Sequence, residues 1–100
     1  MKIVSYINEK YALPITLKGL SERFFISVNT LCKRFHENMN CSVMEYTTFV
    51  RLNKAKMYLL STKKGVEEIA GLCGFLSANY FGLIFKKQFG CSPTNYRKLR

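Results

Sequence analysis

The fold of this 100-residue chain is decided by the stretch VEEIAGLCGFLSANYFGLIFKKQFGCSPTNYR, residues 66–97. It holds two segments with helical spacing of apolar residues, separated by a turn at Gly74-Phe75 and followed by a stop at Gly90. Much of this pattern also occurs fifty residues earlier. In so short a chain, one repeat of that length gives two copies of a helical unit rather than a solenoid. The aligned positions are Phe25, Ser27, Leu31, Phe35, Asn40, Cys41, Ser42 and Tyr46 with Phe75, Ser77, Phe81, Phe85, Gly90, Cys91, Ser92 and Tyr96.

The apolar periodicity predicts an all-α fold with seven helices, arranged as two helix-turn-helix subdomains joined by a long linker helix. The first helix carries Ile3, Ile7 and Tyr11 on one face and ends before Pro14. The subdomains are predicted at residues 1–42 and 62–100, with the linker helix at 43–61 between them. The remaining helices are predicted at residues 17–24, 28–38, 66–72 and 78–88, and from residue 93 onward.

Residues suited to helix ends stand at the predicted boundaries. Asn40 and Gly90 are equivalent in the repeat, and both types tolerate the left-handed conformation that ends many helices. Hydroxyl side chains that can cap helix N-termini occur at Thr16, Ser27, Ser42 and Ser92. The linker helix is predicted to bury one apolar stripe, formed by Tyr46, Phe49, Val50, Leu52, Ala55, Leu59 and Leu60.

The charge of the chain is strongly positive and unevenly distributed. Sixteen Lys and Arg residues stand against six Asp and Glu residues, which gives a formal net charge of +10. Residues 1–50 carry six basic and four acidic groups (+2), whereas residues 51–100 carry ten basic and two acidic groups (+8). Such a balance favours a polyanionic partner, with nucleic acid first and an anionic membrane surface second.

Helices 28–38 and 78–88 have the pattern of recognition helices. Each pairs aromatic or aliphatic residues four apart on its inner side, and a short helix and a turn precede each one, as in a helix-turn-helix motif whose second helix enters the major groove. The alternative is that the outer faces are solvated surfaces of a helical bundle. On the outer faces lie Asn29, Lys33 and His36 with Thr30, Cys32 and Glu37 at the edges, and Asn79, Leu83 and Lys86 with Tyr80, Gly82 and Lys87 at the edges.

The length of the linker helix suits a protein that grips DNA twice. A helix of about 19 residues spans roughly 28 Å at 1.5 Å per residue. Successive major-groove faces lie about 34 Å apart along the duplex. One polypeptide is therefore expected to place two recognition helices about one DNA turn apart, a task for which most helix-turn-helix proteins need a dimer.

Residues 66–81 and 85–97 resemble the signature of the AraC/XylS family of bacterial transcription regulators. The first copy is similar at Leu20-Ser21, Phe35, Ser42 and Tyr46, and at Arg51 and Ala55 beyond them. The resemblance covers nearly the whole chain. It implies the DNA-binding domain of that family, binding to an asymmetric site near a promoter, and contact with RNA polymerase.

The chain departs from the family pattern at three positions. Members often carry a larger polar residue or Arg where this chain has Gly82 and Leu83, so the second recognition helix offers few groups that can hydrogen-bond a base edge. Gly82 either permits close approach of the backbone to DNA or relieves crowding. Asn40 replaces the usual Gly. The usual ligand-binding and dimerisation domain is absent from this sequence, which is either a short stand-alone member or a fragment of a longer regulator.

The candidate base contacts lie on the two outer faces. Amide side chains can pair bidentately with adenine, which singles out Asn29 and Asn79, with exposed polar filler as the alternative. Lys33 is suited to guanine or to a phosphate. Cys32 either touches a thymine methyl group or only packs. The full set of predicted DNA-binding residues is Asn29, Thr30, Cys32, Lys33, His36, Arg51, Asn79, Tyr80, Gly82, Leu83 and Lys86.

Other groups are suited to the phosphate backbone. His36 is interpreted as a phosphate contact or a solvated residue rather than a metal ligand. Arg51 matches a family position on the linker helix, with a structural role toward Glu45 or backbone as the alternative. The N-termini at Thr16-Leu17 and Gly65-Val66 present backbone N–H groups that can face phosphates. Phosphate contacts are also predicted for Lys63, Lys64, Lys86 and Lys87.

The residue inventory argues against an enzyme and against a metal or cofactor. The sequence has no Asp, one His and no Gly-rich phosphate loop, and the neighbours Glu67 and Glu68 point in different directions on a helix. Its four cysteines form no CxxC pair and no zinc spacing, so reduced thiols in a bacterial cytoplasm are expected. No small-molecule site is predicted. No segment approaches the length of a membrane span, and no signal peptide is seen.

The sequence therefore predicts a transcription regulator, an activator, that binds double-stranded DNA and contacts RNA polymerase. The rival hypothesis is a protein-interaction module that contacts RNA polymerase or another regulator without reading DNA. A weaker rival is a basic protein of the membrane surface, whose charges would cluster opposite an exposed apolar face.

Overall fold

The computed structural model describes residues 2–99 and divides the chain into two compact units, with the boundary between Val50 and Arg51. The outer limits predicted for the subdomains, residues 1 and 100, lie outside the described residues. Over residues 2–99 the chain forms seven helices and no strand, which confirms the predicted all-α architecture. These are α1 (Lys2–Lys10), α2 (Leu17–Phe24), α3 (Val28–Met39), α4 (Val43–Ser61), α5 (Val66–Leu72), α6 (Ala78–Phe89) and α7 (Pro93–Lys98).

Unit 1, up to Val50, encloses a core built from α1, α2, α3 and the first part of α4. The Phe35 ring packs edge-on against Tyr46, with 5.8 Å between the ring centroids. The Tyr46 hydroxyl donates a hydrogen bond to Oδ1 of Asn8 at 2.8 Å and so fastens α4 to α1. The buried apolar residues of this core are Ile3, Ile7, Ile15, Leu20, Leu31, Phe35, Val43 and Val50.

Unit 2, from Arg51 onward, encloses a second core that is richer in aromatic rings. The Phe85 ring lies 5.6 Å from Phe81, 4.6 Å from Phe89 and 5.4 Å from Tyr96, measured between centroids. The Arg97 guanidinium donates to the backbone carbonyls of Leu59 and Thr62 at 3.1 and 3.2 Å, which joins α7 to the end of α4. The buried residues are Leu52, Ala55, Leu59, Ile69, Ala70, Cys73, Phe75, Phe81 and Phe85.

Hydroxyl side chains cap the helices that form the two motifs. The Ser27 and Ser77 Oγ atoms accept from the backbone N–H groups of Thr30 and Tyr80, at 3.1 and 3.0 Å. Helices α3 and α6 therefore start at the same point of their motifs. Each one ends on a left-handed residue, Asn40 with φ 58° and Gly90 with φ 84°. Thr16 and Ser92 cap α2 and α7 in the same way, and Ser42 caps α4.

The two motifs differ by one residue in the turn, so the constant spacing of fifty residues is wrong on the N-terminal side of Ser27 and Ser77. The left-handed residue after α2 is Phe25, and its equivalent after α5 is Gly74, forty-nine positions later. The next residues, Ile26 and Phe75, both donate their backbone N–H to the carbonyl five residues earlier. Phe75 therefore matches Ile26 rather than Phe25. The extra residue of the second turn is Leu76, which is fully exposed.

The apolar stripe predicted along α4 is wrong at Phe49, which is 47% exposed. Phe49 lies on the side of α4 away from Val43, Thr47 and Val50, the positions that face the core of unit 1. Leu60 is only half-buried. Apolar residues at nearly helical spacing predict one stripe, but each part of α4 faces the core of its own unit.

Candidate nucleic-acid interface

The outer face of α3 carries three exposed polar side chains, those of Asn29, Lys33 and His36. Leu31 and Phe35 are fully buried on the opposite side and fix the rotation of the helix about its axis. The face thus offers an amide, an ammonium and an imidazole on successive turns. These groups can donate hydrogen bonds to acceptors on base edges and phosphates, and the amide oxygen can accept one.

Two residues at the edges of the outer face of α3, Thr30 and Cys32, differ in exposure. Thr30 is half-buried, and its Oγ1 accepts a hydrogen bond of 2.9 Å from the Ser27 hydroxyl. Cys32 is exposed and lines a small cavity of about 230 Å³ together with His36. Their spacing of four residues puts them on neighbouring turns of the same side of α3. Within residues 2–99, no group of three or more His, Cys, Asp or Glu side chains is placed to hold a metal ion.

The outer face of α6 has the same position in unit 2 but a different chemistry. Leu83 lies at its centre and is 72% exposed. Asn79 and Lys86 are exposed beside it, as is Lys87 at the edge. Tyr80 is half-exposed, and its ring lies 6.4 Å from that of Phe75. Phe81 and Phe85 are fully buried on the opposite side, so this face is fixed in the same manner as that of α3.

Gly82 is not required by packing within the chain. A methyl group at its Cα would meet nothing within 4 Å, apart from its immediate neighbours and the backbone of its own helix. Its backbone is helical and has no positive φ. Relief of crowding is therefore wrong as the reason for this glycine. Of the two reasons for Gly82 that the sequence suggests, close approach of the α6 backbone to another molecule remains.

Arg51 differs from the other predicted contacts because it is half-buried in unit 2. Desolvation by burial lowers the pKa of its guanidinium. The same burial raises the pKa of the neighbouring Cys73 thiol to about 11, which leaves that thiol neutral and unreactive at physiological pH. The partial burial of Arg51 favours the structural alternative that the sequence left open.

Glu45 belongs to a capping box at the start of α4. Its Oε1 accepts from the Ser42 backbone N–H at 2.9 Å, while the Ser42 Oγ accepts from the Glu45 N–H at 3.0 Å. These hydrogen bonds lower the pKa of the Glu45 carboxyl group.

The N-termini of α2 and α5 differ as places for a phosphate. Thr16 caps α2 through the Gly19 N–H, at 3.0 Å, and no acidic residue stands in the first turn. Gly65 provides no side-chain cap for α5, but Glu67 and Glu68 occupy its first turn. Their carboxylates oppose the approach of an anion there. Lys64 also lies 3.4 Å from Glu68, so its charge is partly balanced.

The remaining basic groups predicted to contact phosphates, Lys63 and Lys87, are exposed, as is Lys86. Among residues 2–99, no helix is both long enough and apolar enough to cross a membrane. The two polar or basic outer faces are thus the parts of the described chain best suited to meet a polyanion.

Comparison with known families and proteins agrees with this geometry. A family model described as a helix-turn-helix domain matches residues 20–99. The chain is 34% identical over 94 residues to the uncharacterized HTH-type transcriptional regulator YpdC of Escherichia coli K12, covering 94% of this chain and 33% of that protein. It is 33% identical to the HTH-type transcriptional activator RhaR of Pectobacterium carotovorum, over 96% of this chain and 34% of RhaR. The chain thus spans about a third of the length of these curated relatives.

Solved structures match over nearly the whole chain. The C-terminal domain of AraT, a response regulator from Geobacillus stearothermophilus, superposes with a TM-score of 0.95 at 31% identity, covering 99% of this chain and 83% of that one. The DNA-binding domain of AdpA, a global transcriptional factor crystallised with a target DNA, gives a TM-score of 0.94 at 26% identity, over 98% and 88%. A probable AraC family transcriptional regulator from Rhodopseudomonas palustris gives 0.86 at 28%, over 96% and 91%.

Proposed function

We propose that this chain, which belongs to the AraC/XylS family of helix-turn-helix transcription regulators, binds one asymmetric promoter site with two recognition helices. The family consists of DNA-binding regulators and not of enzymes. In the proposal, α3 and α6 enter successive major grooves of the same duplex. The observation that carries it is the presence of two motifs, each with a Ser N-cap, a left-handed C-cap, a buried Phe anchor and one outer face.

We further propose a division of labour between the two helices. The outer face of α3 offers hydrogen-bonding groups in a unit of low net charge, so it supplies most of the base discrimination, with Asn29 as the first choice for an adenine. The outer face of α6 has few such groups but lies in the half that carries a net charge of +8. It therefore supplies mainly backbone affinity through Lys86 and Lys87.

The proposed role is activation of transcription in a bacterium. RhaR, a relative of similar sequence over this region, is named a transcriptional activator. The same proposal includes contact with RNA polymerase, which the family resemblance implies, and a location in the cytoplasm on nucleoid DNA. The rival, a protein-interaction module that does not read DNA, predicts binding that ignores the base sequence.

The decisive experiment is selection of bound duplexes from a random library, followed by scrambling of each half of the selected site. The selected site should be asymmetric and cover two adjacent major-groove segments, and native mass spectrometry should find one chain per duplex. Scrambling the half bound by α3 should weaken binding more than scrambling the other half, at fixed salt.

Three results would contradict this proposal. An obligate protein dimer on a palindrome would refute binding by a single chain. A larger loss from the half bound by α6 would refute the division of labour. Equal affinity for selected and scrambled duplexes in about 100–200 mM salt would favour the protein-interaction rival, because residual backbone attraction is weak and independent of sequence there.

A further inference from the structure

We propose that α6 reads thymine, with Leu83 as the residue that contacts its methyl group in the major groove. This inference rests on the proposed function, because it requires α6 to lie in the groove. It goes beyond that function by assigning a base and a chemical contact to a helix face that is short of hydrogen-bonding groups.

The position of Leu83 on α6 is the first argument. Phe81 and Phe85, two residues before and after it, are fully buried and therefore hold Leu83 at the crest of the opposite side. Its helical neighbours at three and four residues are Asn79, Tyr80, Lys86 and Lys87, all of them exposed. The side chain at the centre of this outer face is thus apolar and is surrounded by groups that suit DNA.

The chemistry of the major groove limits what such a side chain can select. A Leu side chain has no donor or acceptor, so it cannot match the hydrogen-bonding edge of guanine, cytosine or adenine. The methyl group of thymine is the apolar feature among the four bases in this groove. Contact between the two removes apolar surface from water and discriminates against a base that presents a polar edge there.

The residues around Leu83 favour DNA, rather than an apolar protein surface, as the partner that contacts the outer face of α6. Lys86 and Lys87 would have to lose part of their hydration beneath an apolar partner, at a cost that such a partner does not offset. A DNA duplex offers phosphates to the same two cations while its groove takes the Leu side chain. The charge of the surrounding groups therefore complements the proposed ligand.

Gly82 supports a close approach of the α6 backbone to the DNA. It adjoins Leu83 in sequence and lies toward the edge of the same outer face, and nothing in the chain beyond its own helix requires the missing side chain. A Cβ at this position would stand between the α6 backbone and a neighbouring molecule. Its absence lets the backbone approach closely enough for a short aliphatic side chain to reach a base edge.

Replacement of thymine by deoxyuridine tests the inference, because it removes only the methyl group. Each thymine in the selected site is replaced in turn, and affinity is measured at fixed salt for the wild-type chain and for Leu83→Ala. We expect loss of the methyl at one or two positions in the half bound by α6 to weaken wild-type binding about fourfold each. Leu83→Ala should bind the thymine and deoxyuridine sites equally.

Matched controls separate this contact from a general loss of folding or binding. Leu99→Ala removes another exposed apolar side chain of unit 2, outside α6, and should keep the full thymine preference. Deoxyuridine in the half bound by α3 should give the same ratio in wild type and Leu83→Ala. Gly82→Ala should unfold at a higher temperature, because Ala is the better helix former, and yet should bind the selected site more weakly.

The outcomes distinguish the inference from the function on which it rests. If no deoxyuridine in the α6 half weakens binding while scrambled sites still bind worse than the selected one, thymine reading by α6 is refuted and the proposed function stands. A deoxyuridine effect that persists unchanged in Leu83→Ala refutes the assignment to Leu83. If scrambled and selected duplexes bind equally well, the proposed function itself fails.

Discussion

Units 1 and 2 share the caps and buried anchors that fix α3 and α6, but the outer faces of these two helices differ. In both, a Ser caps the recognition helix, buried residues four apart anchor it, and a left-handed residue ends it. The anchors are Leu31 and Phe35 in α3, and Phe81 and Phe85 in α6. On the outside, α3 presents amide, ammonium and imidazole groups, whereas α6 presents an aliphatic side chain among lysines.

The comparison separates the residues that set the position of a helix from those that set its specificity. Core and cap positions determine which side of each helix faces outward, and they are nearly the same in the two units. The outer positions carry no packing role and are free to differ.

The largest effect is expected from the anchors. Phe35→Ala and Phe85→Ala each remove a fully buried ring and should lower the free energy of unfolding by about 3–5 kcal/mol. Such a loss is a large part of the stability of a small domain, so either variant risks unfolding. Denaturant titration followed by circular dichroism measures the change. Phe49→Ala, on an exposed position, is the control, and unchanged melts for both anchor variants would show that these faces are not buried.

Asn29→Ala tests whether the polar outer face of α3 discriminates between bases. Loss of a bidentate amide contact should cost about 1–3 kcal/mol of binding on the selected site and little on random DNA. Competition between the two duplexes at fixed salt gives both values, and the preferred base at one or two positions should relax. A loss of equal size on both duplexes would mean that Asn29 contacts the backbone or only supports the fold.

The turn of unit 1 carries a conformational cost that unit 2 avoids. Phe25 has φ 56° and is 93% exposed, so it holds a left-handed backbone with little burial in return. Phe25→Gly should raise the free energy of unfolding by about 1 kcal/mol, because glycine adopts this conformation without a clash of Cβ. Gly74→Ala, at the equivalent position with φ 93°, should do the opposite. If Phe25→Gly melts at a lower temperature, the aromatic ring has a stabilising contact after all.

Lys86→Ala tests the contribution of unit 2 to backbone affinity. Binding should weaken on all sequences alike, and the slope of log K against log salt should become shallower by about one unit. Titrations at three or more salt concentrations, on selected and random duplexes, measure the slope. Lys98→Ala, which removes an exposed cation from α7, provides the comparison. A loss confined to the selected site would instead assign Lys86 to a base.

The smallest effect concerns the caps of α4 and α7, which differ at equivalent positions. Glu45 accepts from Ser42, and this lowers its pKa, whereas Asn95 in unit 2 does not titrate. The stabilisation by Glu45 is therefore present above its ordinary pKa and is lost as pH falls through the lowered value. Carboxyl chemical shifts in an acid titration should report this pKa. In Glu45→Gln the acid-dependent part of α4 stability should vanish, and an unshifted Glu45 would contradict the capping box.

Much of the fold, including the caps and buried anchors of the helices, was predictable because it depends on local chemistry. Hydroxyl caps, the Asn40 and Gly90 stops and the spacing of buried residues are all encoded within a few positions of one another. The outward direction of Asn29 and Leu83 followed from the same spacing. The exposure of Phe49 was not predictable in this way, because the direction of each part of α4 depends on which core it meets.

Other features needed the environment of a residue rather than its type. Whether Gly82 relieves crowding depends on atoms from distant parts of the chain. No such atom lies within 4 Å of where a Cβ at this position would stand. The extra residue Leu76 was hidden because Phe25 and Phe75 are of the same type, so pairing them extends the spacing of fifty residues that holds from Ser27 and Ser77 onward. The partial burial of Arg51 likewise comes from packing that no local pattern encodes.

The closure of the unit 1 core by Val50 has a consequence for how the chain folds during synthesis. Every buried residue of that core lies at or before Val50, so the whole set emerges from the ribosome before any residue of unit 2 does. N-terminal units generally fold first as a chain emerges, and contacts between residues close in sequence form fastest. Unit 1 can therefore collapse on its own residues while the aromatic-rich segments of unit 2 are still enclosed by the ribosome and unable to pair with it wrongly. In a protein built from two similar halves, this order of emergence lets the first copy fold before the second can compete for its place.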